Sequence, residues 1–400
     1  MDAVPVCDRA DCPLWWLRAF LPTDKAVMRN PSIRPWLVLR AIEGVGDATL
    51  LKLLDIFGNP DAVLRASEDD LIHGGCLQPL ARAIRRGLTS EANHRIDQEL
   101  RALERLGVNV ISYLDERYPA RLRMIEDPPA ILYVSGGFDA CDEHAIAIVG
   151  ARRASHEGRL VTEELSRDLA LAGFTVVSGL ARGVDAAAHR GALSVNGRTL
   201  AVLGCGIDRT YPIEHATLRR EIERHGAVIS ELPLGAPPHS YHFPRRNRLI
   251  SGLSHGVVVT EAALNSGSLI TASLAADQGR EVFALPGFVK SDTSRGPNGL
   301  IKEGAKLVES ADDVITELLP QLDESFRTKV RNRDSYVPNS PRRFGKEETL
   351  VYDALSYEPQ QMDSVIEKTG LSVSAVATVL LTLELRNCVR QLPGHLYLRL

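Results

Sequence analysis

The chain has 400 residues, of which 44% are hydrophobic and 24% are charged, with a formal net charge of −4 at pH 7. This length exceeds one ordinary hydrophobic core and indicates two or three domains. The negative net charge excludes nucleic-acid binding through a field of the whole chain, so any anion site must be a local patch. Without a long apolar run or a basic N-terminal start, the sequence predicts a cytoplasmic protein with no membrane contact.

The six cysteines are too few and too scattered for a disulfide scaffold, which also fits a reducing cytoplasm. Cys7 and Cys12 lie close together in sequence, but no second Cys/His pair stands near them. We therefore expect no metal and no cofactor.

The N-terminal third divides into two zones. Residues 1–32 form an irregular extension without an assignable role. Residues 33–115 contain segments such as "RPWLVLRAI" and "HRIDQELRALERLG", in which apolar residues recur every three or four positions. That periodicity predicts a domain of short helices.

Residues 116–320 alternate strand-like and helical runs. The predicted strands are "AIAIVGA", "FTVVSG", "LAVLGCG", "AVISELP", "GVVVTEA" and "EVFALPG", with helices near 157–172, 183–194, 213–225 and 267–278. Repeated strand–helix order predicts an α/β fold with a parallel sheet between two helical layers.

A linker over residues 321–346 separates this zone from residues 347–400. Its stretch from 327 to 346 holds seven Lys and Arg residues against the single acid Asp334. The last zone reads as three short helices and the hairpin "CVRQLPGHLYLRL", which is the outline of a winged helix. It carries seven acids against four Lys and Arg. Since phosphate attraction dominates duplex binding, we predict that it does not bind duplex DNA strongly.

Small and cationic residues follow the predicted strands. Parallel strands bring these loops to one edge of the sheet, where ligands of open α/β folds bind. Glycine lets backbone amides approach an anion, serine and helix starts donate to phosphate, and arginine binds it in a bidentate fashion. The predicted phosphate-binding residues in these loops are Gly150, Arg152, Ser155, Gly179, Arg182, Gly183, Ser266, Gly267 and Ser268.

The segment "FPRRNRLISGLS" adds cations at the start of a predicted helix. A cation there is unfavourable by about 0.3–1 kcal/mol, which suggests that an anionic ligand joins Arg246 and Arg248. Asn247 lies between them. Phe243, Tyr241 and Tyr211 are candidates for stacking on bases, and Phe243 is equally a candidate for the core. The carboxylates expected to orient the arginines are Asp185, Glu231 and Glu261.

The identity of the anion remains open between two classes. The loops lack the G-x-G-x-x-G spacing of dinucleotide sites and the Walker motif, which favours the backbone of single-stranded nucleic acid. The alternative is a nucleotide-processing enzyme or nucleotide sensor on a lysine-decarboxylase-like Rossmann fold. Its P-G-G-x-G-T-x-x-E motif is absent, and no catalytic triad spacing is evident.

Several segments in order, among them "AIVGARRAS", "VVSGLARGVDAAAHRGAL", "FPRRNRLISGLS" and "VVVTEAALNSGSLITASLAADQGREVFALPG", resemble the DNA-processing protein A family, DprA or Smf. The resemblance covers about residues 116–310. It implies a non-enzymatic protein that protects incoming single-stranded DNA in natural transformation and loads the RecA recombinase onto it. It also implies a homodimer formed through an extended Rossmann-like domain, with an N-terminal domain similar to a sterile alpha motif or helix-hairpin-helix.

The resemblance assigns a phosphate pocket to two segments of this sequence. One is Gly150, Arg152 and Ser155, and the other is the run from Arg246 to Arg248. Many relatives have serine where this chain has Ala151, so one hydroxyl donor is missing. The backbone amide remains, so we expect only a modest effect on phosphate binding.

Overall fold

A computed structural model of the chain describes residues 33–331, 345–356, 359–385, 388–392 and 394–399. It divides into two compact units, one ending at Asp323 and the other beginning at Glu324. The predicted extension 1–32 and half of the predicted linker, residues 332–344, lie outside the described residues. The other part of that linker includes a helix, α15, over Glu324–Arg331.

Short helices build the first part of the larger unit, as the apolar periodicity indicates. Three of them begin with a side-chain cap: Asn59, Ser67 and Thr89 each accept a hydrogen bond from a backbone N–H in the first turn. Gly107 ends the longest of them in the left-handed conformation. The helices are α1 (Ile33–Arg40), α2 (Asp47–Phe57), α3 (Pro60–Arg65), α4 (Glu68–His73), α5 (Gln78–Arg86) and α6 (Ser90–Leu106).

A nine-stranded sheet follows. Its strands are β1 (Asn109–Ser112), β2 (Ile131–Gly136), β3 (Ala145–Val149), β4 (Thr175–Ser178), β5 (Thr199–Val202), β6 (Ala227–Ser230), β7 (Gly256–Val259), β8 (Glu281–Ala284) and β9 (Lys306–Leu307). Their spatial order is β1-β2-β6-β5-β4-β3-β7-β8-β9. The strands from β6 to β9 in that order are parallel, and β3 to β7 are buried along their whole length. The prediction of an extended Rossmann-like parallel sheet is confirmed.

Helices connect the strands across the sheet. From β3 the chain proceeds through β4, β5 and β6 on one side, and then through β7, β8 and β9 on the other. The order therefore reverses between β3 and β7, the point at which open sheets form a ligand crevice. The helices are α7 (Ala120–Arg123), α8 (His156–Leu171), α9 (Val184–Ser194), α10 (Ala216–His225), α11 (His242–Gly252), α12 (Gly267–Asp277), α13 (Arg295–Lys302) and α14 (Ala311–Leu318).

The helical zone packs directly on the sheet. Strand β1 lies inside the zone that periodicity predicted to be helical, and it pairs antiparallel with β2 at the edge of the sheet. One hydrophobic cluster joins Trp36 and Leu50 of the helices to Tyr133 and Val228 of the sheet. Arg40 Nη2 also donates to the Glu231 carbonyl at 2.6 Å. The domain boundary after residue 115 stays a prediction.

The smaller unit continues with α16 (Lys346–Ala354), β10 (Gln360–Gln361), α17 (Met362–Thr369), α18 (Val373–Leu385), β11 (Val389–Leu392) and β12 (Leu396–Arg399). Its three strands form an antiparallel sheet in the order β10-β12-β11. Val351, Val365, Leu380 and Leu383 are buried between the helices and this sheet. The predicted winged helix is confirmed.

Over the residues with described structure, no single helix is long and apolar enough to cross a membrane. Only α17 together with Val373–Glu384 of α18 reaches that length and apolarity, and the two helices are bent by 112° at the break between them.

Candidate nucleic-acid interface

A cavity of about 690 Å³ opens where the strand order reverses. It lies between the loops that follow β3 and β7 and the starts of α11 and α12. Its lining includes these predicted site residues: Gly150, Arg152, Asp185, Phe243, Arg246, Asn247, Ser266, Gly267 and Ser268. A neighbouring cavity of about 40 Å³ shares Arg152 and Phe243 with it and adds Gly179 and Arg182. We call the two cavities together the crevice.

The start of helix α12 faces the crevice and is open to a ligand. Ser266 caps the helix, because its hydroxyl accepts from the Ser268 amide at 3.3 Å. The hydroxyl oxygens of these two serines are 2.7 Å apart. Asn247 Nδ2 donates to the Gly267 carbonyl at 3.1 Å and fixes α11 against this start. The partial positive charge of a helix start makes this position suitable for a phosphate.

The start of helix α8 is already occupied by a carboxylate of the protein. The amide of Ser155 donates to Glu261 Oε2 at 2.8 Å, and its hydroxyl donates to Oε1 at 2.7 Å. The same hydroxyl accepts from the Gly158 amide at 2.8 Å. Glu261 therefore caps a helix, where the sequence suggested that it orients an arginine. The hydroxyl of Ser155, expected to bind phosphate, is committed to this cap.

Arg246 lines the crevice but is bound inside the protein. Its side chain is buried, and its Nη1 donates to the Gly179 carbonyl at 2.8 Å and also to the Val202 carbonyl. Burial lowers the pKa of Arg246 to about 10, and the charge of Asp185 opposes that shift. This arginine ties the ends of β4 and β5 together.

Asp185 and Gly183 hold the backbone of the loop after β4. The Asp185 carboxylate accepts from the amides of Gly179 and Ala181 at 3.2 and 3.3 Å. Burial raises the pKa of Asp185, an effect that Arg246 opposes. Gly183 has a φ of +75°, and a side chain there would overlap the Ala151 carbonyl. Both residues shape the loop, and Gly183 lies outside the cavity linings.

Arg248 lies outside the crevice, in contrast to its predicted position. Its side chain is 7% exposed and forms ion pairs with Glu231 at 2.5 Å and with Asp127 at 2.8 Å. Because helix α11 turns by about 100° per residue, Arg248 cannot share the direction of Arg246. Asp127 was missed at the sequence level, since the irregular segment "IEDPP" has no periodicity that places it.

Arg182 reaches solvent at the rim of the crevice, paired with a carboxylate that the sequence did not reveal. Its Nε donates to Glu214, and the arginine side chain is 66% exposed. The hydrogen bond from Arg182 lowers the pKa of Glu214. The adjacent ring of His215 is buried and bonds to the Leu180 carbonyl at 2.9 Å, which fixes the segment carrying Glu214.

Arg152 and Arg153 are the exposed cations of the crevice that keep their charge available. Both line it, and neither has a carboxylate within ion-pair distance in the described part of the chain. The Arg152 guanidinium lies 5.0 Å from the centre of the Phe243 ring. Arg153 was not among the phosphate-binding residues predicted from the sequence. Its position next to Arg152, in the loop after β3, is the signal by which it could have been found.

The histidine that follows Asp185 on helix α9 is held inside the protein. His189, one turn after Asp185, is buried with its Nδ1 2.7 Å from Thr199 Oγ1, and burial lowers its pKa to about 3. A neutral imidazole held by a threonine has a structural role. No group of three or more metal-ligating side chains occurs among the residues placed by the structure. What the arrangement offers is binding of an anion.

Comparisons with known proteins agree with this fold. A family model described as DNA recombination-mediator protein A matches residues 109–319, and the DprA winged helix domain matches residues 338–395. The chain is 42% identical to protein Smf of Escherichia coli strain K12 over 312 residues, which are 76% of this chain and 81% of that protein. It is 38% identical to DNA processing protein DprA of Streptococcus pneumoniae over 274 residues, which are 68% of this chain and 94% of that protein.

The fold of the chain also matches that of a solved structure. The X-ray structure of DprA from Streptococcus pneumoniae matches with a TM-score of 0.61 and 36% identity. The match covers 70% of this chain and 96% of that chain. From the sheet, the winged helix and these relatives we conclude that the chain belongs to the DprA/Smf family of DNA-processing recombination mediators.

Proposed function

We propose that this protein binds single-stranded DNA in the crevice, protects it and delivers it to the RecA recombinase, without catalysing a reaction itself. One observation carries the proposal. Arg152 and Arg153 present unpaired charge beside the open start of helix α12, at the point where the strand order reverses. Guanidinium groups and a helix start are the partners that phosphates of a nucleic-acid backbone require.

A strand suits this crevice better than a mononucleotide. The available donors come from the loops after β3 and β7 and from the rim residue Arg182, so they are spread over several strands of the sheet. Neighbouring strands are about 4.8 Å apart, and one phosphate cannot reach all of these donors. A chain of phosphates can contact them in succession.

Fluorescence anisotropy with labelled poly-dT of graded length tests this proposal. We expect affinity to rise with length and to exceed that for a duplex of equal length. A large excess of AMP should leave the bound strand in place. Tight AMP binding with no gain from longer oligonucleotides would instead support the nucleotide-sensing or nucleotide-processing alternative.

Delivery to a recombinase is the finer part of the proposal. It is supported by the match to a recombination-mediator family over more than half of the chain. The test is RecA filament formation on single-stranded DNA that is coated with a single-strand-binding protein. We expect this protein to shorten the lag of filament formation and to slow nuclease digestion of the strand. An unchanged lag would contradict delivery and leave binding intact.

We also propose a homodimer formed through the Rossmann-like domain. The exposed apolar side chains Leu264, Ile270 and Leu307 support it, since association would remove them from water. Sedimentation equilibrium should give twice the chain mass of 43.8 kDa. A monomer over the whole concentration range would refute it.

A further inference from the structure

We propose that Tyr241 and His239 form a stacking surface for an unpaired base at the mouth of the crevice. The inference rests on the proposed function, because it requires a single strand in the crevice. The phosphate contacts described above do not involve the bases. The stacking surface adds a contact to a base itself. It thereby gives the site a means of preferring unpaired strands.

The two rings are stacked nearly parallel, and both residues are exposed. The ring of His239 lies 5.4 Å from that of Tyr241 with an angle of 14° between their planes. The ring of His242 is roughly perpendicular to both, with its centre 4.4 Å from that of Tyr241 and 5.4 Å from that of His239. Tyr241 is nevertheless 65% exposed, so much of its surface remains available. Bases stack on exposed aromatic faces of this kind.

The cluster is held in place by its own backbone. The His239 amide donates to the Pro237 carbonyl at 2.8 Å, and the His242 amide donates to the His239 carbonyl at 3.0 Å. The ring of His242 contacts the Pro237 carbonyl through Nδ1 at 3.0 Å. Helix α11 begins at His242 and anchors the segment. A surface that is ordered before binding loses less entropy when a base stacks on it.

The cluster stands directly beside the phosphate contacts. Pro238, Ser240 and Phe243 line the crevice, and they alternate in sequence with the residues that carry the rings. The rings of His239 and Tyr241 themselves lie outside the cavity linings. A strand whose backbone lies on Arg152 and on the start of α12 passes the segment that carries them, and we infer that one of its bases turns outward onto Tyr241.

Phe243, which the sequence suggested as a stacking candidate together with Tyr241 and Tyr211, is less suitable. Arg152 lies over its ring, Tyr211 packs against it at 5.6 Å, and Gly204 touches it so closely that a Cβ there would come within 2.8 Å of the ring. Its surface is therefore used inside the protein. We infer that Phe243 positions Arg152, while Tyr241 receives the base.

The test compares two oligonucleotides of equal length and charge, poly-dT and a strand of abasic sites, on the full chain. Stacking should give wild type a preference for poly-dT of about five- to a hundredfold. Tyr241→Ala should remove most of that preference, Tyr241→Phe should retain it, and His239→Ala should reduce it. Phe288→Ala is the matched control, because Phe288 is a similarly exposed aromatic residue that does not belong to this ring cluster. It should keep the preference.

Three results would overturn the inference: equal affinity of wild type for both strands, a preference that survives in Tyr241→Ala, or the same loss in Phe288→Ala. Photo-crosslinking of a 5-iododeoxyuridine strand provides a second readout, with Tyr241 or His239 as the expected adduct and a crosslink confined to other residues as the contrary result. If wild type binds neither strand, the proposed function itself has failed. Binding to both strands alike rejects only the stacking surface.

Discussion

The arginines of helix α11 and of the loop after β3 divide into those the fold uses and those it leaves to a ligand. Arg246 donates to backbone carbonyls and Arg248 is held by two carboxylates, whereas Arg152 and Arg153 keep their charge toward solvent. The sequence predicts glycine, serine and arginine in the loops at this edge of the sheet. It does not reveal the partners Asp127 and Glu214, because both are distant along the chain from the arginines with which they pair.

Replacing Arg248 tests the structural class. Arg248→Ala leaves the buried Glu231 without its main partner, which should lower the free energy of unfolding by about 3–5 kcal/mol in urea denaturation. Arg245→Ala is the matched control on the same helix, since Arg245 is exposed and lies 3.7 Å from Glu231. Its loss should cost about 1 kcal/mol or less. Equal stability of both variants would show that Arg248 is free for a ligand.

Glu214 should act as an internal competitor for the strand. Glu214→Gln removes the carboxylate from Arg182, so the affinity for poly-dT in anisotropy titrations should rise, and the rise should vanish when Arg182→Ala is added. The gain should fade as pH falls below 4.5, because Glu214, whose pKa is lowered from that value, then becomes neutral in the parent. Glu164→Gln, which breaks an exposed pair with Arg167, is the control. A similar gain in affinity in that control would show that the effect comes from the change in net charge and not from the release of Arg182.

At the scale of elements, two helix starts at the same edge of the sheet differ in what occupies them. Glu261 fills the start of α8, while the start of α12 is capped only by Ser266 and stays open. The repeated strand–helix order of the sequence predicted both helices and the sheet edge at which they begin. It did not predict β1 and β2, because an antiparallel pair at the sheet edge interrupts the strand–helix alternation that identified the other strands.

The two capping serines give a matched pair of variants. Ser155→Ala should lower the free energy of unfolding by about 0.5–2 kcal/mol, as expected for loss of an N-cap, and leave the affinity for poly-dT unchanged. Ser266→Ala should cost similar stability and also lower that affinity severalfold. Thermal unfolding and anisotropy measure the two effects. Weaker binding of poly-dT by Ser155→Ala at unchanged stability would show that the Ser155 hydroxyl binds phosphate and does not serve as a helix cap.

At the scale of the whole molecule, charge is local. The net charge is −4, and helix α18, the longest helix of the winged helix, has Glu384 as its one charged residue. Length, composition and strand–helix order were enough to predict both the large sheet and this small unit. The contact between the helical zone and the sheet was not predictable, because Trp36 and Leu50 fit the core of a separate domain equally well.

The most direct test of the account is the salt dependence of poly-dT binding by the double variant Arg152→Ala/Arg153→Ala. We predict unchanged thermal stability, a large loss of affinity and a log–log salt slope smaller by about 1.4, since each single-strand phosphate contact contributes about 0.7. Arg220→Ala/Arg224→Ala on helix α10 removes the same charge away from the crevice and should behave like the parent. An unchanged slope in the Arg152/Arg153 variant would contradict the claim that a nucleic-acid strand binds in the crevice.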